Sequence, residues 1–334
     1  MIRIVAESHI PYLQGVLEPW AQVTYAPVID PHVAAEADIL LVRTRTRCDA
    51  SLLQGSHVRF IGTATIGTDH IDMDYCHQEG ITVVNAPGCN APAVAQWTLA
   101  AIGQWMQVNG FAHTHNLTLG VVGVGHVGSI VARWAQQLGF NVLLNDPPRA
   151  EREPAMATLL SPLARLVDEC DIITFHTPLT HEGPYATWHL CNKDLLSRAQ
   201  RCRLVLNAAR GAVADNAALE HWPGDVAIDC WENEPQINAP LLKKALIATP
   251  HIAGYSRQGK QRATTMMLQA LNNHFGWQIP IPVIDAPAQG ASHVSLHKIM
   301  GSYDIMADSA LLKANPCDFE ALRNRYTLRS EVVD

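Results

Sequence analysis

At 334 residues, 48% of them apolar and only 16% charged, the chain carries enough apolar material for two or three domains and is neither disordered nor fibrous. Its net charge of −7 argues against nucleic acid as a partner, because phosphate backbones want a broad basic face. No uncharged run reaches the length of a membrane span, the N-terminus lacks the pattern of a signal peptide, and the eight cysteines form no CxxC pair, so the expectation is a reduced, soluble, cytoplasmic protein.

In chain order, β-branched apolar runs alternate with helical patterns. Strands are predicted at 2–6, 22–26, 38–43, 58–63 and 81–86, then at 117–125, 141–146, 171–177, 203–209, 226–231 and 245–250. Near-continuous apolar strands separated by helices predict doubly wound α/β architecture, with parallel sheets covered on both faces. The Gly-rich signature begins only near residue 120, so two sheets are expected, with a cleft between the domains. Residues 90–107 join them. Pro92 suits a first helical turn, and Val94, Trp97, Ala101, Ile102 and Trp105 share one face, which predicts a helix across the junction. A helical pattern after Gly259 is expected to return to the first domain, and the Pro-rich stretch 279–290 reads as a linker to a short C-terminal piece.

The stretch "LGVVGVGHVGSIVARWAQQLGFNVLLNDPPR" places Gly123, Gly125 and Gly128 in GxGxxG order, with His126 and Val127 between the last two. The glycines serve a tight turn, a close approach to pyrophosphate and close helix–strand packing. Asp146 ends the next strand, where its carboxylate can accept both ribose hydroxyls and repel a 2′-phosphate. NAD is therefore the expected cofactor, with Arg149 a nearby cation that could offset the repulsion.

Arg210, Glu234 and His251 each follow a predicted strand, at the edge where doubly wound sheets place ligands. Hydride transfer from an alcohol carbon needs an acid/base, a role open to His251. A carboxylate neighbour would orient the imidazole and favour its protonated form, and an arginine can grip a substrate carboxylate through two hydrogen bonds. Taken singly, each has a structural reading, and spacing alone does not bring them together.

The ordered motifs "GVGHVG", "DPPRA", "TFHTPLT", "NAARG", "IDCWENEP" and "TPHIAGY" resemble the D-isomer-specific 2-hydroxyacid dehydrogenase family. More particular stretches, "GTATIGTDHID", "NAPGCNAPAV" and "EGPYATWHL", resemble its members that act on a phosphorylated four-carbon acid. The resemblance implies a Rossmann NAD-binding domain at 94–254, a flavodoxin-like substrate domain at 1–93 and 255–283, and a short dimerisation segment at 284–334. It makes Arg210, Glu234 and His251 catalytic. It places Thr177, Ala208, Asp229 and Gly254 at the cofactor, and Arg43, Thr44, Thr65 and Tyr255 at the substrate. The implied activity is NAD-dependent oxidation of 4-phospho-D-erythronate, on the way to pyridoxal 5′-phosphate, by a homodimer with no nucleic-acid, membrane or metal partner. Oxidation of another D-2-hydroxy acid such as 3-phosphoglycerate, or a non-catalytic NAD(H) sensor, are the alternatives.

The run "LVRTRTRC" tests this reading. On an extended strand Arg43, Arg45 and Arg47 would share one face and Thr44 and Thr46 the other. Arg43 and Thr44 are expected at the strand end, facing the substrate's phosphate, while Arg45 and Arg47 read as a solvated face. Gln96 stands where the family commonly has glutamate. His113, His115 and the histidine of "DHID" lack a second ligand pair for a metal, and Cys89 reads as structural.

Overall fold

A computed structural model describes residues 1–284 and 287–332; Asp285 and Ala286, inside the expected linker, and the last two residues lie outside the described residues. The chain divides into two compact units, Met1–Asn90 with Ser256–Ala288, and Ala91–Tyr255 with Gln289–Asp334. Each predicted apolar run yields a strand, most of them shortened at the ends.

The first unit holds β1 (Arg3–Glu7), β2 (Gln22–Ala26), β3 (Ile39–Val42), β4 (Phe60–Thr63) and β5 (Thr82–Val84). They form a parallel sheet in the order β2-β1-β3-β4-β5, the flavodoxin-like winding. Successive residues go to opposite cores. Ile4, Ile39, Leu41 and Phe60 pack with Met267, Leu268 and Leu271 on one face, and Val5, Leu40, Val42 and Ile61 pack with Leu52 and Cys76 on the other. Burial on both faces explains why these strands read as unbroken apolar runs. The Arg257–Phe275 helix supplies the first of those faces. Ser256 caps its start by accepting from the Gly259 N–H, and Gly276, at φ 68, ends it.

The second unit holds β6 (Thr118–Val122), β7 (Asn141–Asn145), β8 (Ile172–Phe175), β9 (Leu204–Asn207), β10 (Asp225–Ile228) and β11 (Ile247–Ala248). Their parallel order is β11-β10-β9-β8-β6-β7. A bridge from Leu144 to Leu160 occupies the place outside β7, so the third strand of the usual Rossmann order survives as a single residue pair. Winding reverses between β6 and β8, and the crevice at their carboxyl ends is where such sheets bind ligands.

The Ala91–Val108 helix departs from expectation. It is buried on nearly all sides, including Ala93, Leu99, Ala100 and Met106, rather than along one face. The reason is a second partner. One side meets the His126–Gln137 helix, and the other meets the Leu296–Ser302 and Ile305–Ala314 helices of the C-terminal arm. Gly103 permits that contact, since a Cβ there would stand 2.6 Å from Met300 Sδ. Gln96 joins the same face, its Nε2 donating to Ser302 Oγ at 2.8 Å and to the Ser330 carbonyl at 3.3 Å. An ionised glutamate could donate neither bond. No helix among the described residues is long and apolar enough to cross a membrane.

Candidate active site

The chain leaves β6 through Gly123, whose φ of 87 favours glycine. A Cβ at Gly128 would lie 1.9 Å from the Gly123 carbonyl oxygen, so the helix start sits directly against the strand end. Gly125 caps that helix, with His126 and Val127 in its first turn, and a Cβ there would meet nothing within 4 Å. A pyrophosphate fits this cradle, facing the backbone N–H groups of a helix start.

Asp146 follows β7 directly and caps the next helix with its carboxylate fixed. Oδ2 accepts the Val124 N–H at 2.8 Å and Oδ1 accepts the Arg149 N–H at 3.0 Å, which leaves lone pairs for ribose hydroxyls. Arg149 is drawn away from any 2′-phosphate role. Its Nη1 donates to the Val124 carbonyl at 2.6 Å and its Nε pairs with Glu153 at 3.0 Å. Thr177 packs over Gly123, and its Oγ1 is a buried atom without a hydrogen-bond partner. Such an orphan at the cofactor loop is what a bound dinucleotide would satisfy. Ala208, half-buried, follows β9 directly.

Beyond β10 and β11 the structure brings Glu234 and His251 together. Glu234 Oε1 accepts the Trp231 N–H at 2.6 Å, and Oε2 meets His251 Nδ1 at 2.7 Å. Nδ1 thus carries the proton shared with the carboxylate, and Nε2 is the nitrogen available for proton exchange. Burial works against the imidazolium, but the Cys230 sulfur and the Glu234 carboxylate more than offset it, so His251 titrates well above the usual histidine range. Burial would also raise Glu234, yet His251 and the Trp231 N–H hold it below the ordinary carboxylate range.

His251 adopts φ 55, a left-handed conformation that costs a side-chain-bearing residue about 1–3 kcal/mol. The turn is held by Asp229. Its carbonyl accepts the His251 N–H at 2.9 Å. Its Oδ1 accepts from Thr249 Oγ1 at 2.6 Å and the Ile252 N–H at 2.8 Å, and its Oδ2 accepts the Ala253 N–H at 2.9 Å. Burial pushes the Asp229 carboxyl up, limited by His251 and these bonds. Both carboxylate oxygens therefore serve the turn that carries His251, Gly254 and Tyr255, a use that sequence did not suggest for this residue.

Arg210 follows β9 on a turn organised by Asn207. The Asn207 side chain accepts the Ala209 N–H at 3.1 Å and donates to the Arg210 carbonyl at 2.9 Å. Next to it, a Cβ on Gly211 would stand 2.0 Å from the Trp231 carbonyl oxygen. The turn bearing Arg210 is thus in backbone contact with the turn bearing Glu234. Glu232 locks the pair further, meeting His189 Nε2 at 2.6 Å and accepting the Asn216 N–H at 2.8 Å.

In the first unit, Arg43 and Thr44 come just after the end of β3, as expected, but the alternation of the arginine run stops there. A turn from the Arg43 carbonyl to the Thr46 N–H, at 3.3 Å, buries Thr46 against Glu7, which accepts from the Thr46 hydroxyl at 2.5 Å and the Arg43 N–H at 2.9 Å. Arg43 Nη1 donates to the His9 carbonyl at 3.1 Å, and Arg47, largely exposed, pairs with Asp49. Thr65 follows β4, its hydroxyl donating to the Gly67 carbonyl at 3.0 Å and meeting Thr63 Oγ1 at 2.6 Å.

Sequence reasoning passed over Asn207, Gly211, Cys230 and the His189–Glu232 pair. It also passed over two arginines of the C-terminal arm. Arg329 donates to the carbonyls of Ile252, Ala253, Tyr255 and Ala93, and Arg323 Nε donates to Tyr255 Oη at 3.2 Å. Asn207 and Gly211 lie in or beside "NAARG", and Arg323 and Arg329 in "LRNRYTLR", so the letters were visible while the partners were not.

Residues 92–253 match the family model of the D-isomer specific 2-hydroxyacid dehydrogenase, NAD binding domain. The chain belongs to this family and is an NAD-dependent dehydrogenase. Among relatives, it is 43% identical to an erythronate-4-phosphate dehydrogenase of Bacteroides fragilis, over 99% of this chain and 97% of that one. It is 38% identical to an enzyme of the same name from Escherichia coli, over 99% and 92%. Of solved structures, a D-lactate dehydrogenase from Aquifex aeolicus, complexed with NAD and lactic acid, matches with a TM-score of 0.65 at 23% identity, over 82% of this chain and 96% of that one. The TT0316 protein of Thermus thermophilus matches with a TM-score of 0.67 at 25% identity, over 85% and 100%.

Proposed function

We propose that this chain oxidises 4-phospho-D-erythronate at C2 to 2-oxo-3-hydroxy-4-phosphobutanoate, in the synthesis of pyridoxal 5′-phosphate. The observation that carries the chemistry is the His251–Glu234 pair, held at 2.7 Å on a turn that Asp229 fixes. The substrate follows from relatives at 38–43% identity over nearly the whole chain.

Bound NAD supplies the hydride acceptor, and Gly123, Gly125, Gly128, Asp146 and Thr177 are the residues that would hold it. His251 Nε2 takes the C2 hydroxyl proton as the carbonyl forms, and Glu234 stabilises the resulting imidazolium. Arg210 grips the substrate carboxylate and so orients C2. Arg43, Thr44, Thr65 and Tyr255 are proposed to hold the rest of the substrate. The proposal extends to a cytoplasmic homodimer, whose stoichiometry sedimentation equilibrium would read.

The test is NADH oxidation with 2-oxo-3-hydroxy-4-phosphobutanoate against 3-phosphohydroxypyruvate under identical conditions. The four-carbon acid is expected to win kcat/KM by tenfold or more, about 1.4 kcal/mol of transition-state discrimination. A win for the three-carbon acid would replace the substrate and keep the chemistry. Turnover of neither, with NADH still bound, would favour the sensor.

A further inference from the structure

The C-terminal arm brings a cation to the catalytic turn and fixes it there. The guanidinium of buried Arg329 donates to the carbonyls of Ile252 at 3.0 Å, Tyr255 at 3.2 Å and Ala93 at 3.1 Å, and also to that of Ala253. It lies over the Tyr303 ring at 4.3 Å, while Tyr303 Oη donates to Asp308 at 2.8 Å. Six residues earlier, Arg323 reaches Tyr255 Oη at 3.2 Å, and its charge helps to hold Glu234 ionised.

We propose that Arg323, with Tyr255, binds the phosphate of the substrate and so determines specificity for a phosphorylated acid. The inference deepens the functional reading above and rests on it. Its first support is charge balance. The Arg323 side chain is only 19% exposed, yet its carboxylate neighbour Glu320 is 47% exposed and 3.5 Å away through one nitrogen. A guanidinium taken this far out of water is costly without a close bidentate partner, and a phosphate that comes and goes supplies one.

The second support is the phenol. Tyr255 Oη accepts from Arg323 Nε, which joins the phenol and the guanidinium into one polar group beside the turn that carries His251. The third is the demand of the substrate. An acid that is also a phosphate ester has two anionic ends. Arg210 is proposed for the carboxylate, so a doubly charged phosphate calls for a further cation besides Arg43, whose Nη1 also meets the His9 carbonyl at 3.1 Å. Arg323 is a further cation, brought by the C-terminal arm to Tyr255 on the turn that also carries His251.

The experiment compares wild type, Arg323→Gln and Arg323→Lys in NADH oxidation with 2-oxo-3-hydroxy-4-phosphobutanoate and with the same acid lacking phosphate. Arg323→Gln is expected to lose tenfold or more in kcat/KM on the phosphorylated acid, mainly through KM, and at most threefold on the other. Arg323→Lys, keeping the charge but not the fork, should recover part of that loss. Equal losses on both acids, carried by kcat, would overturn the proposal and leave Arg323 a support for Tyr255. No loss on either would also overturn it. A wild type indifferent to the phosphate would sink the functional reading instead. Binding of inorganic phosphate by calorimetry then still decides on Arg323, since a Kd equal in wild type and Arg323→Gln refutes the site.

Discussion

His251 draws both orientation and charge from Glu234, and the two contributions separate in a pH profile. In the reductive direction His251 begins protonated and gives its proton to the forming hydroxyl. With its pKa raised well above the usual value, kcat/KM should hold through neutral pH and fall only in the alkaline range. Glu234→Gln keeps the shape and removes the charge, so the alkaline limb moves to lower pH, whereas His251→Asn lowers kcat by about 10²–10⁴-fold at every pH. An unmoved limb in Glu234→Gln would show that the carboxylate does not set the titration. Stability follows the same signs. The contribution of His251 is complete below the ordinary histidine pKa and is lost as pH rises through its raised native value. That of Glu234 is present above the ordinary glutamate pKa and is lost as pH falls through its lowered native value. At this scale the sequence displayed the reacting groups and concealed their supports. His251 and Glu234 stand out because their residue types match the chemistry. Asn207 and Asp229, which hold the turns, act through backbone contacts that have no sequence period.

Among elements, strands were the legible part, because burial on both faces turns each into an apolar run that needs no partner to be recognised. The third Rossmann strand was not legible, since Leu160 offers one paired residue and no run. The Ala91–Val108 helix was read as one-sided because its tryptophans fall on one face, while its other face is closed by small residues such as Gly103 and Ala100 that carry no apolar signal. The turns after β9 and β10 depend on a similar small residue. With a Cβ at Gly211 placed 2.0 Å from the Trp231 carbonyl oxygen and 2.6 Å from the Glu232 nitrogen, alanine must drive the Arg210 turn from the Glu234 turn. Overpacking of this kind costs about 1–3 kcal/mol. Gly211→Ala is therefore expected to lose at least tenfold in kcat/KM. A variant with wild-type kcat/KM would mean that these two turns need not touch for catalysis.

For the whole molecule, the chain leaves the first unit after Asn90, returns at Ser256, and leaves again after Ala288 to finish on the second unit. The last passage was the least legible. Its sequence reads as a linker and a short appendage, and nothing local in "LRNRYTLR" says that Arg329 will be 9% exposed with its guanidinium on four carbonyls. Those carbonyls belong to the first turn of the Ala91–Val108 helix and to the turn after His251, so one side chain ties the end of the chain to the catalytic centre. Arg329→Met keeps much of the apolar stem and removes every donor. The Ile252 carbonyl keeps the Tyr255 N–H at 2.8 Å, but a buried carbonyl that loses its donor costs about 1–3 kcal/mol where water cannot reach it. Water will reach some of the four, so a net loss of about 3 kcal/mol in unfolding free energy is expected, read as a lower urea midpoint for the second unit. Because the freed turn carries His251 at a positive φ, kcat should fall as well, even at urea-free conditions where the protein stays folded. A lower midpoint with unchanged kcat would assign Arg329 to stability alone. An unchanged midpoint would show that the arm is held by its apolar helices, Leu296–Ser302 and Ile305–Ala314, without the arginine.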